Sequence, residues 1–238
     1  HFADVSHVAF LDDVAKLAIT EAGRESFKIA FQVDWDAAVA AGKVVSGSDL
    51  CTQLDNLSPE DLCSMWAAYG AVEIQPNVFV SFFDEPGRYV LNGFYPVLRK
   101  GYVAPGSSLM LMLLDFEMDW HEFREAIIGC ENPAAAVEES IRGYLYDRAA
   151  VLEMVIDPLD NILHVSASPV AALCEKMIWL DEAQWIEDPL LKQVSEKTGR
   201  GLHVVADWIV GHYTDSAWLA QFEDQDTERV AESLATMI

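Results

Sequence analysis

The chain has 238 residues, 52% of them apolar, and a formal net charge of −24. That length fits one domain with an extension or two small domains, and the apolar content suffices for a sizeable core. The acidity argues against nucleic acid and acidic membrane surfaces as partners, and no apolar run is long enough to insert across a bilayer.

In chain order, residues 7–11 read as a short strand. Asp12 and Asp13 are placed to cap a helix over 14–25, and residues 27–33 read as a second strand. Residues 40–85 carry Gly42, Gly47 and Asp49, then Leu57-Ser58-Pro59-Glu60-Asp61, a serine-capped helix start running to about Tyr69. Residues 78–83 are a further strand candidate. Residues 109–116 are nearly all apolar and suit a central strand. Residues 120–128 fit an amphipathic helix. Ser168 is a good N-cap and Pro169 a good first helical residue; Val170, Leu173, Cys174, Met177 and Ile178 then follow at helical spacing. Helical stretches are expected over 189–198, 201–211 and 216 to the end. In the second of these, Val204, Val205, Trp208 and Ile209 form an apolar face for packing or for a partner, with packing preferred. Pattern alone gives an α+β protein. The order β-α-β…α-β-α-β suggests a ferredoxin-like split βαβ sandwich.

Nothing at the start reads as a signal peptide, and the missing initiator methionine points to processing or a trimmed start. Cys51, Cys63, Cys130 and Cys174 are scattered, with no CxxC pair. They read as reduced core thiols of a soluble intracellular protein, not as a disulfide frame or a zinc site.

The densest chemistry lies in Asn161-Ile162-Leu163-His164-Val165-Ser166-Ala167-Ser168-Pro169. A histidine stands beside the start of a helix, whose free N–H groups attract phosphate. An imidazole there is a candidate phosphate-accepting nucleophile. The plainer reading is a loop histidine next to a serine cap.

Upstream stand Gly129-Cys130-Glu131-Asn132-Pro133 and Ser140-Ile141-Arg142-Gly143. With the histidine segment, these resemble the nucleoside diphosphate kinase family. That family carries a G-x-T-N-P turn, an I-R-G ten residues after its Asn, and N-x-x-H-x-S-D-S around a phosphorylated histidine. Asn132 and Arg142 keep the spacing, and Ser166, Ser168, Glu175 and Trp179 fall on the register. The stretch 89–106, with Pro96, Tyr102 and Gly106, is similar to a further family segment. The resemblance spans about residues 7–185 and is specific between 124 and 180. It implies a kinase-like domain over 1–185, with insertions at about 40–85 and 147–158, and a helical extension over 186–238.

The resemblance also implies roles. His164 is the nucleophile, Glu175 the carboxylate that orients it, and Ser166 a hydrogen-bonding member beside them. Arg142 contacts phosphates, Asn161 the ribose and phosphate edge, and Tyr89 lies near the nucleophile. Mg2+ arrives with the nucleotide, and no resident metal is implied. Taken singly, Glu175 reads as a solvated helix residue and Arg142 as a surface ion-pair member. Likewise Asn161 reads as a turn residue and Tyr89 as a half-buried core ring.

Departures stand beside the matches. The family's phosphate-gripping lysine has no counterpart near Asp12, and Gln32 stands at the other candidate place. The family's second arginine lies four residues before the turn glycine; Glu125 is there, and Arg124 misses by one. Glu131 replaces a phosphate-binding threonine, Val165 a glycine, Ala167 an aspartate and Val97 a base-stacking phenylalanine. Each lost charged contact costs about 1.5–3 kcal/mol. An altered helix register, or a cation such as Arg99, Lys100 or Arg148, could compensate. The expected function is a divergent kinase-like structural or regulatory subunit of a larger assembly, non-catalytic or weakly active. The alternative is an active kinase passing the γ-phosphate of a nucleoside triphosphate to a diphosphate through phospho-His164. Protein partners, a homo-oligomer or a larger assembly, are expected in either case.

Overall fold

A computed structural model describes residues 13–157 and 160–238. The class is α+β. Packing divides the chain into two compact units. Of the described residues, one comprises 13–109 with 212–221, and the other 110–157, 160–211 and 222–238. Residue 185 falls inside the second.

The first unit is built on a four-stranded mixed sheet in the order β1-β4-β3-β2. Val44–Ser46 (β1) runs parallel to Arg88–Leu91 (β4). Val72–Gln75 (β2) and Val78–Phe83 (β3) form an antiparallel hairpin, and β3 pairs antiparallel with β4. Side chains alternate across the sheet, as the pleat requires. Tyr89 and Leu91 enter a cluster with Phe27, Trp35, Val78 and Val80. Val90 enters another cluster with Val45, Leu50, Leu62 and Phe83. Helix Glu21–Phe31 covers the first face; Gly47–Gln53 and the serine-capped Pro59–Tyr69 cover the second. Segment 212–221 is tied in through Ser216, whose Oγ lies 3.1 Å from Nε2 of buried Gln75.

Three expectations about this unit meet the structure differently. The candidate strand 7–11 lies outside the described residues. The helix expected over 14–25 begins instead at Glu21, because the Thr20 side chain accepts from the Gly23 N–H. That helix then absorbs the strand expected over 27–33. Phe27 and Phe31 alternate like strand residues, but four apart they also share a helix face. Their rings meet at 4.9 Å, while Ile29 between them is 67% exposed. Gln32 in the left-handed region ends the helix, and Asp34 caps the next, Trp35–Ala40.

Residues 109–116 form no regular element, and Leu109 to Leu114 are exposed, Met110 by 83%. The expected central strand is therefore not present. An unbroken apolar run carries no period, so it does not choose a face. The four strands found among the described residues all lie between 44 and 91.

In the second unit Trp120–Glu122 starts as an α-turn and continues as a π-helix, Phe123–Ile128. Helices Ile141–Asp147, Pro169–Trp179, Glu182–Trp185, Pro189–Thr198, Leu202–Gly211 and Thr227–Met237 follow. Pro189–Thr198 is central and packs on Thr227–Met237, Leu202–Gly211 and Pro169–Trp179. It presents Leu190, Leu191 and Val194, and Thr227–Met237 presents Val230, Ala231 and Leu234, all buried. Val205 and Ile209 are fully buried, so most of the stripe on Leu202–Gly211 faces this core, and Val204 stays exposed. Among the described residues no helix is long and apolar enough to cross a membrane.

Candidate functional site

Ser168 caps helix Pro169–Trp179, its Oγ accepting from the Ala171 N–H at 3.2 Å. Val170, Leu173 and Cys174 anchor the buried face of the helix. Glu175, next to Cys174, turns back toward the loop that precedes the helix. One of its oxygens lies 2.9 Å from His164 Nε2, and the other accepts from Ser166 Oγ at 2.6 Å. A single carboxylate thus clamps two residues of the loop. The Glu175 side chain is 14% exposed and the imidazole 51%. Desolvation lowers the proton affinity of His164. The hydrogen bond and charge of Glu175 outweigh it, so the net shift is upward, against an opposing push from Arg142. With Nε2–H held by the carboxylate, loss of the other ring proton leaves the lone pair on Nδ1.

Arg142 is the second residue of helix Ile141–Asp147, whose cap is buried Ser140. The arginine is 4% exposed. It donates from Nη1 to the Gly129 carbonyl at 2.5 Å and from Nη2 to the Leu163 carbonyl at 2.9 Å. Among the described residues its Nε has no hydrogen-bond partner. The guanidinium therefore fastens the turn at Gly129 to the residue before His164. Desolvation lowers its pKa, Glu131 opposes that, and Arg124 adds to it. Gly143 follows because there is no room for a side chain: an added Cβ would collide with the Val137 carbonyl. Asn161 donates from Nδ2 to the Glu131 carbonyl at 3.2 Å, which joins the same two loops.

The structure thus gathers His164, Ser166 and Glu175 into one hydrogen-bonded group, with Arg142 and Asn161 bracing its loop. Tyr89 lies in the core of the first unit, on β4, 7% exposed. It packs against Phe27, Phe31 and Phe82 at centroid distances of 5.0, 5.3 and 4.9 Å.

Arg124 stands five residues before Gly129, on a widened turn. In an α-helix the Gly129 N–H would bond to Glu125. Here it bonds to the Arg124 carbonyl, one residue further back, as a π-turn requires. The Arg124 side chain is 12% exposed and pairs with Asp224 and with Glu223, the latter at 3.2 Å. Of the other candidate cations, Lys100 pairs with Glu60 at 2.5 Å, and Arg148 lies over the Tyr144 ring at 3.7 Å. Among the described residues no group of His, Cys, Asp and Glu is set to hold a metal ion.

No family model, curated protein or solved structure matches this chain.

Proposed function

We propose that this chain is a divergent nucleoside diphosphate kinase-like module that keeps a phosphorylatable histidine but serves as a structural or regulatory subunit, with at most weak phosphotransfer. The observation that carries this reading is the commitment of Arg142 and Arg124. Arg142 is tied to two backbone carbonyls, and Arg124 to two carboxylates. A transferring phosphoryl group spreads negative charge that preorganised cations must meet. Guanidiniums already engaged meet it poorly. The ferredoxin-like arrangement belongs to the same proposal and rests on the sequence motifs, not on the sheet formed by residues 44–91.

The reading has definite chemistry. His164 Nδ1 attacks the γ-phosphorus of a nucleoside triphosphate. A P–N bond forms, the P–O bond to the β-phosphate breaks, and the diphosphate leaves with the electron pair. Glu175 holds Nε2–H and balances the positive charge that the phosphorylated ring acquires. Mg2+ carried by the nucleotide supplies charge to the phosphates.

A second reading, an efficient kinase working through phospho-His164, is favoured by the His164–Glu175–Ser166 geometry itself. Incubation with γ-labelled ATP and Mg2+ separates the two. The proposal expects slow, substoichiometric, acid-labile label that is lost in His164→Ala and passes poorly to GDP. Rapid stoichiometric label that passes on to GDP overturns it in favour of the kinase. Label that survives in His164→Ala overturns both.

A further inference from the structure

Residues 222–226 carry the ion pairs that occupy Arg124. Asp224 and Glu223 both accept from its Nη1, and a second Asp224 oxygen lies 3.3 Å from His121 Nδ1. The segment is fixed in place by its backbone as well. Asp224 adopts the left-handed region at φ 56°, and its N–H donates to the Ala167 carbonyl at 3.1 Å, three residues beyond His164. Asp226 accepts from the Trp120 N–H at 2.8 Å, and the Trp120 indole donates to the Ser166 carbonyl at 3.3 Å. Buried Phe222 anchors the start of the turn. Two carboxylates from the C-terminal region are therefore stapled to the histidine loop and to the π-turn that presents Arg124.

We propose that the acidic turn 222–226 is an internal phosphate mimic, which occupies Arg124 and keeps polyphosphate away from the His164 loop. The inference rests on the reading of that loop as a phosphoryl-accepting centre. A carboxylate pair and a phosphate group compete for one guanidinium because both present acceptor oxygens to its fork of donors. Apparent affinity for the outside anion falls by the fraction of time that the turn is seated. A partner that drew residues 222–226 away would release the arginine, so the turn couples partner binding to anion binding.

The test is binding of MgADP and of inorganic tripolyphosphate to the full chain by calorimetry. Asp224→Asn/Glu223→Gln is expected to bind both about tenfold more tightly, within the usual span of coupling between two ligands. Adding Arg124→Gln is expected to abolish the gain. Glu228→Gln/Glu232→Gln removes the same charge from exposed sites and is expected to change little. Glu223→Gln alone, at a half-exposed side chain, gives a milder variant should the double one fold poorly. No gain in a folded variant overturns the inference, and so does a gain that persists without Arg124 or appears in the charge control. These outcomes do not depend on labelling of His164: Arg124-dependent tightening without phosphohistidine would sustain the mimic while rejecting the phosphoryl-transfer reading.

Discussion

At His164 the raised proton affinity has a definite sign. A histidine whose folded value lies above its unfolded one stabilises the fold when protonated. The increment is complete below the ordinary imidazole value of about 6.5 and is lost as pH rises through the raised folded value. The stability difference between the wild type and His164→Asn is expected to shrink across that window in denaturant titrations. Attack on phosphorus needs the neutral ring, so any labelling of His164 is expected to begin above the usual imidazole range. Glu175→Gln should move that onset down. Equal pH profiles for the two proteins would mean that Glu175 does not set the charge of the ring. Gly143 gives a second test at this scale. Gly143→Ala drives a methyl group into the Val137 carbonyl and is expected to cost about 1–3 kcal/mol or more, measured by chemical unfolding. Cys174 is 1% exposed, and burial pushes its thiol pKa far up. It should resist alkylation in the native state while Cys51, Cys63 and Cys130, only partly buried, react first.

The elements show where local signals suffice. Ser58 and Ser168 cap the helices that the sequence assigns to them, because a cap, a following proline and a helical stripe are all local. Residues 27–33 read as a strand from the alternation of Phe27, Ile29, Phe31 and Val33, but the four-residue spacing of Phe27 and Phe31 also fits the helix that those two residues occupy. Mutagenesis distinguishes them. Phe27→Ala removes a fully buried ring and is expected to cost about 3–5 kcal/mol. Ile29→Ala, on the solvent face of the same helix, should stay within about 0.5 kcal/mol. Comparable losses at both positions would contradict the helix. The π-turn at Phe123–Ile128 is an altered helix register of the kind the sequence left open without placing it. The carboxylates that Arg124 reaches from it lie about 100 positions further along the chain.

For the molecule as a whole, the charge of −24 is the dominant long-range term. Like charges held close by folding repel one another, and salt screens them within about 8 Å at physiological strength. Thermal stability is therefore expected to rise between very low and physiological salt; a flat or falling profile would mean that paired charges outweigh the repulsion. Composition sets this long-range repulsion without reference to the fold. Motif spacing brought His164, Ser166 and Glu175 onto one short loop and one helix, since eleven residues of chain can close that group by themselves. The tertiary structure alone decided what the arginines hold, where Tyr89 lies and which apolar runs become strands. Those outcomes turn on groups far apart in the chain: the carbonyls of Gly129 and Leu163 on Arg142, the aromatic cluster around Tyr89, and the acidic turn on Arg124. A residue's type fixes what it can bind, but only folding settles which of several competing partners reaches it first.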